Sequence, residues 1–250
     1  MILDPADPLA VAATEAIRTG DLERLERLLA EHPELATARL GDDRPGGTTR
    51  TLLHVATDWP GHVPNGPATV TLLAEAGAEV NARFGGGSHD ETPLHWAASS
   101  DDVEVLDALL DLGADIEADG GVIAGGTPLT DARAFGQWRA AHRLVERGAR
   151  TTIDDAATLG LQDRLEHYFA GSSPAPDEVS RAFWGACHGG QRGCAEYLLD
   201  RGADPNWVPP WEPLTPLDAA ARSDAEDLVG WLRTKGARSA AELADGGDRR

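Results

Sequence analysis

Apolar residues in this chain come in short bursts at helical spacing, each closed by the same stop. Leu22, Leu25, Leu28 and Leu29 follow the period of one buried helix face. Later bursts end in the pairs Leu72-Leu73, Leu109-Leu110 and Leu198-Leu199, and these run into Gly77-Ala78, Gly113-Ala114 and Gly202-Ala203. Gly148-Ala149 and Gly236-Ala237 close two more. A shorter apolar phrase precedes the bursts: Thr51-Leu52-Leu53-His54-Val55-Ala56, Thr92-Pro93-Leu94-His95-Trp96-Ala97-Ala98, Thr127-Pro128-Leu129-Thr130-Asp131-Ala132 and Thr215-Pro216-Leu217-Asp218-Ala219-Ala220. The pattern predicts a short helix, a turn, a longer helix and a glycine stop, over and over.

Each part of the phrase has a physical reason. Thr caps the short helix, and Pro fits its first turn, where a missing N–H costs nothing. The small residues that follow let neighbouring repeats approach. The Leu pairs bury the longer helix, and the glycines sit where it must end in a left-handed conformation. Aligned on the stops, the chain reads as a cap at residues 7–40 and repeats at about 51–80, 92–116, 127–149, 151–170, 179–204 and 215–237. These make one array over residues 1–238, with a flexible tail at 239–250. The fifth repeat is compressed. Thr151 follows Gly148-Ala149 so closely that no finger precedes it, and a Gly-Ser-Ser-Pro-Ala-Pro linker at 171–176 ends it.

The recurring phrase and stop resemble the ankyrin repeat. That resemblance covers nearly the whole chain and is most specific over residues 51–149 and 179–237. It implies an all-α solenoid of about seven helix-pair repeats with β-hairpin or loop fingers. It implies that His54 and His95 are structural histidines bonded to loop backbone, and that the protein recognises other proteins without a cofactor. Trp184 stands in the histidine column, which calls the usual loop contact of the sixth repeat into question. The phrase from Phe183 to Arg192, followed by Ala195-Glu196-Tyr197-Leu198-Leu199, is also similar to bacterial, mostly actinobacterial, ankyrin-domain proteins.

Charge narrows the partners. The formal net charge is −20. So acidic a surface repels phosphate backbones and anionic lipid, so nucleic acid and membrane are not expected partners. Cys187 and Cys194 fall in small or apolar helix columns, with no disulfide framework or metal pattern between them. Nothing resembles a secretory leader or a bilayer span, which gives a cytoplasmic monomer as the expectation.

Candidate chemistry lies where the repeat is decorated. Glycine-rich fingers occupy 41–47, 85–89 and 120–126, and none fits a phosphate-binding loop. The resemblance turns the residues just after the inner-helix Ala pair towards the concave groove. Those positions hold Asp58 and Trp59, then Phe135, then His188, while Arg133 replaces a small residue beside them. Exposed aromatic rings beside Arg suit a binding surface, although the rings can equally pack under the long fingers. A Pro-rich insertion, residues 59–67, stiffens the elbow of the second repeat, and Trp207 and Trp211 stand on a Pro-rich finger before the seventh. The expected contact set is Asp58, Trp59, Phe84, His89, Arg133, Phe135, His188, Trp207 and Trp211.

Stacked layers about 8–10 Å apart would put Trp59 and Trp207 about 30–40 Å apart, which favours an extended polypeptide over one small molecule. No metal site and no established catalytic motif is present. His89, Asp58, Asp90 and Arg133 make a weaker alternative, an acid–base group in a pocket between the fingers of repeats two to four that binds a small molecule or acts on it. Adjacent residues of an extended segment point to opposite faces, so at most two of residues 89–91 share such a site. The balance favours a binding module over an enzyme.

Overall fold

The computed structural model describes residues 1–42 and 44–247. They contain fifteen α-helices and three short strands, divided between two compact units, Met1–Arg150 and Thr151–Arg250. The division falls at the compressed fifth repeat, where the repeat pattern suggests one array.

Unit one opens with β1 (Ile2–Leu3), α1 (Pro8–Thr19) and α2 (Leu22–Glu31). After a 3-10 turn at Pro33–Thr37 come β2 (Arg39–Gly41) and β3 (Thr49–Thr51). Three helix pairs follow: α3 (Leu52–Thr57) with α4 (Gly66–Glu75), α5 (Pro93–Ser99) with α6 (Val103–Asp111), and α7 (Pro128–Ala134) with α8 (Trp138–Glu146). β1 pairs parallel to β2, and β2 antiparallel to β3 with Leu40 opposite Arg50. The first finger is therefore a true β-hairpin in a helical fold. Thr49 and Gly85 exchange both backbone hydrogen bonds, 2.7 and 2.8 Å, and so tie the first finger to the second.

The inner helices α1, α3, α5 and α7 stack in sequence, with Ala13, Ala56, Ala97 and Ala132 fully buried. Leu25, Leu73, Leu106, Leu109 and Leu144 of the outer helices are equally buried. Truncating one such leucine to alanine costs about 2–5 kcal/mol. The stops behave as their sequence requires. Gly77 and Gly113 have φ of 102° and 90°, and a Cβ on either would meet no atom within 4 Å. Backbone conformation, not crowding, demands glycine there.

Unit two contains α9 (Ile153–Thr158), α10 (Gln162–Gly171), α11 (Pro176–His188), α12 (Arg192–Leu199), α13 (Pro216–Arg222), α14 (Glu226–Thr234) and α15 (Ala240–Gly247). Its core gathers Leu165, Phe183, Cys187, Cys194, Leu198 and Leu232. Burial pushes the Cys187 thiol far up and the Cys194 thiol up to about 11, so neither is a ready nucleophile. α15 stands where the sequence suggests a fraying tail. Asp218 accepts from Ala240 N at 2.8 Å, and Arg233 pairs with Glu242. The tail positions 248–250 lie outside the described residues.

Candidate functional site

Two histidines build the floor of the finger side in unit one. Thr51 and Thr92 cap α3 and α5, and the third helical residue of each is histidine. His54 Nδ1 accepts from Thr51 N at 3.3 Å, and His95 Nδ1 accepts from Thr92 N at 3.1 Å. That fixes the proton on Nε2, which donates to a carbonyl across the stack: His54 to Glu91 at 3.1 Å, His95 to Gly126 at 3.1 Å. Each acceptor is the residue just before the next capping threonine. Burial lowers both imidazoles to about 4, so they stay neutral at pH 7. Both act as structural histidines.

The second finger closes when Phe84 N donates to Glu91 O at 2.7 Å. His89 and Glu91, two residues apart, then share a face, and His89 Nδ1 lies 2.8 Å from Glu91 Oε2. Asp90 turns away, and its backbone N–H reaches Gly120 O at 3.2 Å. The Phe84 ring stacks on His89 with centroids 5.7 Å apart and leans on Trp96 at 5.6 Å. Trp96 Nε1 donates to Glu91 Oε2 at 3.1 Å.

Asp131, on α7, is fully buried. Ile123 N donates to Asp131 Oδ1 at 3.1 Å, so the third finger is attached as well. Burial pushes the Asp131 carboxyl up to about 7; the Ile123 N–H works against this and the Glu91 charge adds to it. Asp131 is absent from the contact set expected from the sequence. Its signal there is a carboxylate, Asp131, in the column that holds Val55 and Trp96.

The expected acid–base group does not assemble. Asp58 is held by Arg50 Nη1 at 2.7 Å, and Asp90 lies 3.9 Å from Arg83 Nη1, while His89 faces Glu91. These three candidates thus belong to three different pairings. Arg133 is half-buried on the last turn of α7.

Two expected anchors do stand in solvent. Trp59 is 78% exposed and Phe135 is 47% exposed. The elbow carrying Trp59 is pinned on both sides: His62 N donates to the buried carboxylate of Asp102 at 2.7 Å, and Asn65 Nδ2 donates to Gly20 O at 2.9 Å. A cavity of about 470 Å³ is lined by the rest of this elbow, with Asp102, Glu104 and Val105 of the next repeat, and by no finger residue.

In unit two His188 is buried and stacks on Trp184 at 5.5 Å, which withdraws it from an open groove. The reason lies one helical turn back, where a bulky Trp184 replaces histidine and needs a flat partner. Trp184 Nε1 donates to Leu214 O at 2.9 Å, again the residue before a capping threonine. An indole thus keeps the loop contact that its place in the histidine column had called into question. Trp207 is half-buried and donates to Asp177 at 2.9 Å. Trp211 packs edge-on against Trp184 and Trp207 but stays 56% exposed.

Comparison with known proteins adds the following. Residues 89–120 match the ankyrin repeat family. The chain is 37% identical over 109 residues to palmitoyltransferase AKR1 of Kluyveromyces lactis, covering 44% of this chain and 13% of that protein. It is 32% identical over 181 residues to an ankyrin repeat and KH domain-containing protein of Caenorhabditis briggsae, covering 68% of this chain and 7% of that protein. The chain spans only a small part of either relative's length. Neither relative is bacterial, so the bacterial grouping rests on the 183–199 phrase alone. Among the described residues, no helix is long and apolar enough to cross a membrane.

Proposed function

We propose that this chain is a protein- or peptide-binding module whose contact surface is the finger side of unit one. Ankyrin repeats generally mediate protein–protein interaction, and residues 89–120 match that family. The observation that carries the reading is Trp59, 78% exposed on an elbow pinned through Asp102 and Asn65. A large exposed ring on an elbow whose backbone is tied to its neighbours is a typical contact anchor. Phe135 and Arg133 are the second and third anchors. Asp58, Phe84 and His89 frame them, and Trp211 with Trp207 offers a separate face in unit two.

We read the helix pairs as seven repeats of a cytoplasmic monomer that binds without a cofactor. The net charge of −20 supports a polypeptide partner over nucleic acid or an anionic membrane. The alternative, a small-molecule or enzymatic pocket between the fingers, draws less support, since the elbow cavity takes no finger residue.

The test compares capture from source-organism lysate by the wild type and by Trp59→Ala, followed by titration of each purified captured protein. A partner whose affinity falls about tenfold or more with Trp59→Ala supports the reading. Partners bound equally by both proteins would remove Trp59, and with it this surface.

A further inference from the structure

We propose that the finger between α12 and α13, residues 206–213, docks a cationic side chain of a partner polypeptide, an arginine or lysine laid on the open face of Trp211. This face belongs to unit two, and it stands or falls independently of the surface proposed in unit one.

Several rings of unit two already carry a cation of their own chain. The Arg222 guanidinium lies over Trp184 at 5.8 Å, and Glu212 holds it there with a 2.7 Å bond. Arg192 lies over Trp231 at 5.9 Å, and Glu196 holds it at 2.9 Å. Arg201 lies over Tyr197 at 3.3 Å. A cation is drawn to the negative face of an aromatic ring, most strongly to an indole. Trp211 has the most exposed ring of the unit, at 56%, and among the described residues no cation lies over it.

The ring is held in place by its neighbours. It meets Trp184 at 5.8 Å and 86°, and Trp207 at 5.7 Å and 62°. Both neighbours are themselves fixed: Trp184 Nε1 donates to Leu214 O at 2.9 Å, and Trp207 Nε1 donates to Asp177 Oδ1 at 2.9 Å. Pro209 is buried, and Pro210 after it stiffens the approach to Trp211. Val208, 43% exposed, and Pro210 and Pro213 give the finger further open apolar surface. The methylene stem of an arginine or lysine can pack on such surface while its charged head lies on the ring.

The surrounding charges select a cation. Asp177 stands exposed at the edge of the Trp207 indole. Arg181, one turn further along α11, is drawn to Asp154 at 2.9 Å. Asp204 is exposed at the start of the finger, where it accepts from Asn206 N at 2.8 Å. Among the described residues, neither Asp177 nor Asp204 has a cation within ion-pair distance. Arg222 and Glu212 neutralise one another, and Arg238 meets the finger through its backbone N–H, on Asn206 Oδ1 at 2.7 Å. The net charge of −20 adds to the same field. At Trp184 and Trp231 a ring and a carboxylate hold a cation between them. At Trp211 the ring and the carboxylates are present, and a partner supplies the cation.

The experiment is an NMR titration of the whole isotope-labelled chain, read at the Trp211 indole N–H and the Val208 amide. The probes are acetyl-Gly-Arg-Gly-Arg-Gly-amide, the same peptide with neutral citrulline for arginine, and a short polyproline peptide. The arginine peptide should shift both resonances and bind about fivefold or more tightly than its citrulline counterpart. Trp211→Leu leaves an apolar side chain in the packing and removes the ring, so the arginine peptide should bind it about threefold or more weakly. Asp177→Asn keeps an acceptor for Trp207 and removes a charge, with about twofold weaker binding, and it serves if Trp211→Leu fails to fold. No shift at the two resonances, equal binding of the arginine and citrulline peptides, or tighter binding of polyproline would overturn the proposal. So would arginine-peptide binding that the folded variants leave unchanged, since the peptide would then sit elsewhere on the acidic surface.

Discussion

His54 donates through Nε2 to the carbonyl of Glu91, 37 residues ahead and 3.1 Å away. One bond joins an inner helix to the base of the finger that follows it. It also fixes the charge of the ring, since Nδ1 must stay bare to accept the Thr51 backbone N–H. His95 repeats the arrangement one layer on.

Acid should therefore weaken the fold. A histidine lowered from 6.5 to about 4 in the native state binds its proton more readily when unfolded. Its contribution is complete above 6.5 and is lost as the pH falls towards 4, about 3 kcal/mol for each ring. Asp131 has the opposite sign: its raised native pKa contributes below 3.8, and that is lost as the pH rises through about 7. Two histidines outweigh one aspartate, so urea midpoints should drop between pH 7 and pH 4.5. In His54→Gln, which keeps a donor for Glu91 O, the drop should shrink. An undiminished drop in that variant would exclude His54 as its source.

Trp184 makes the corresponding bond in unit two, from Nε1 to Leu214 O at 2.9 Å. Trp184→Phe keeps most of the ring and removes the donor, leaving a loop carbonyl unpaired. The expected loss is about 1 kcal/mol, read as a lower melting temperature. Trp184→His restores a donor but not the stacking on His188, and it should not recover the wild-type value.

The repeat frame is readable from the sequence because it rests on local chemistry. Thr caps, Leu pairs and glycine stops are set by neighbours a few residues away, and each stands in the element its sequence implies. The tie from Ile123 N to Asp131 is harder to find, because a carboxylate in an otherwise apolar column does not name its partner. His188 misleads for a related reason: its column faces the groove in a regular repeat, but Trp184 changes the packing one turn before it. The helix α15 escapes notice because its anchor, Asp218, also belongs to a capping box in α13. Apolar content alone gives no hint of that tie.

Two glycine substitutions should move stability in opposite directions. Gly113 has φ of 90° with open space around it, so Gly113→Ala should cost about 1 kcal/mol for the left-handed backbone. Gly193 lies inside α12 and is exposed, and a Cβ there would meet no atom within 4 Å. Gly193→Ala should stabilise by about 0.5–1 kcal/mol through helix propensity alone. Thermal melts of the two single variants check both signs.

The sharpest test of the contact surface separates binding from folding. Trp59 is 78% exposed and Phe135 47% exposed, so truncating either removes little from the core. Exposed substitutions usually shift stability by less than about 0.5 kcal/mol, and the melting temperatures of Trp59→Ala and Phe135→Ala should stay near that of the wild type. Anchors truncated at an interface typically cost about 2 kcal/mol or more in affinity. Arg133 differs, being half-buried on α7, so Arg133→Ala should lower both binding and melting temperature. Trp211→Ala serves as the comparison in unit two: its edge-on contacts with Trp184 and Trp207 should make it destabilising. If Trp59→Ala and Phe135→Ala melt early while the partner still binds, the rings belong to the packing of unit one and the finger side is not the contact surface.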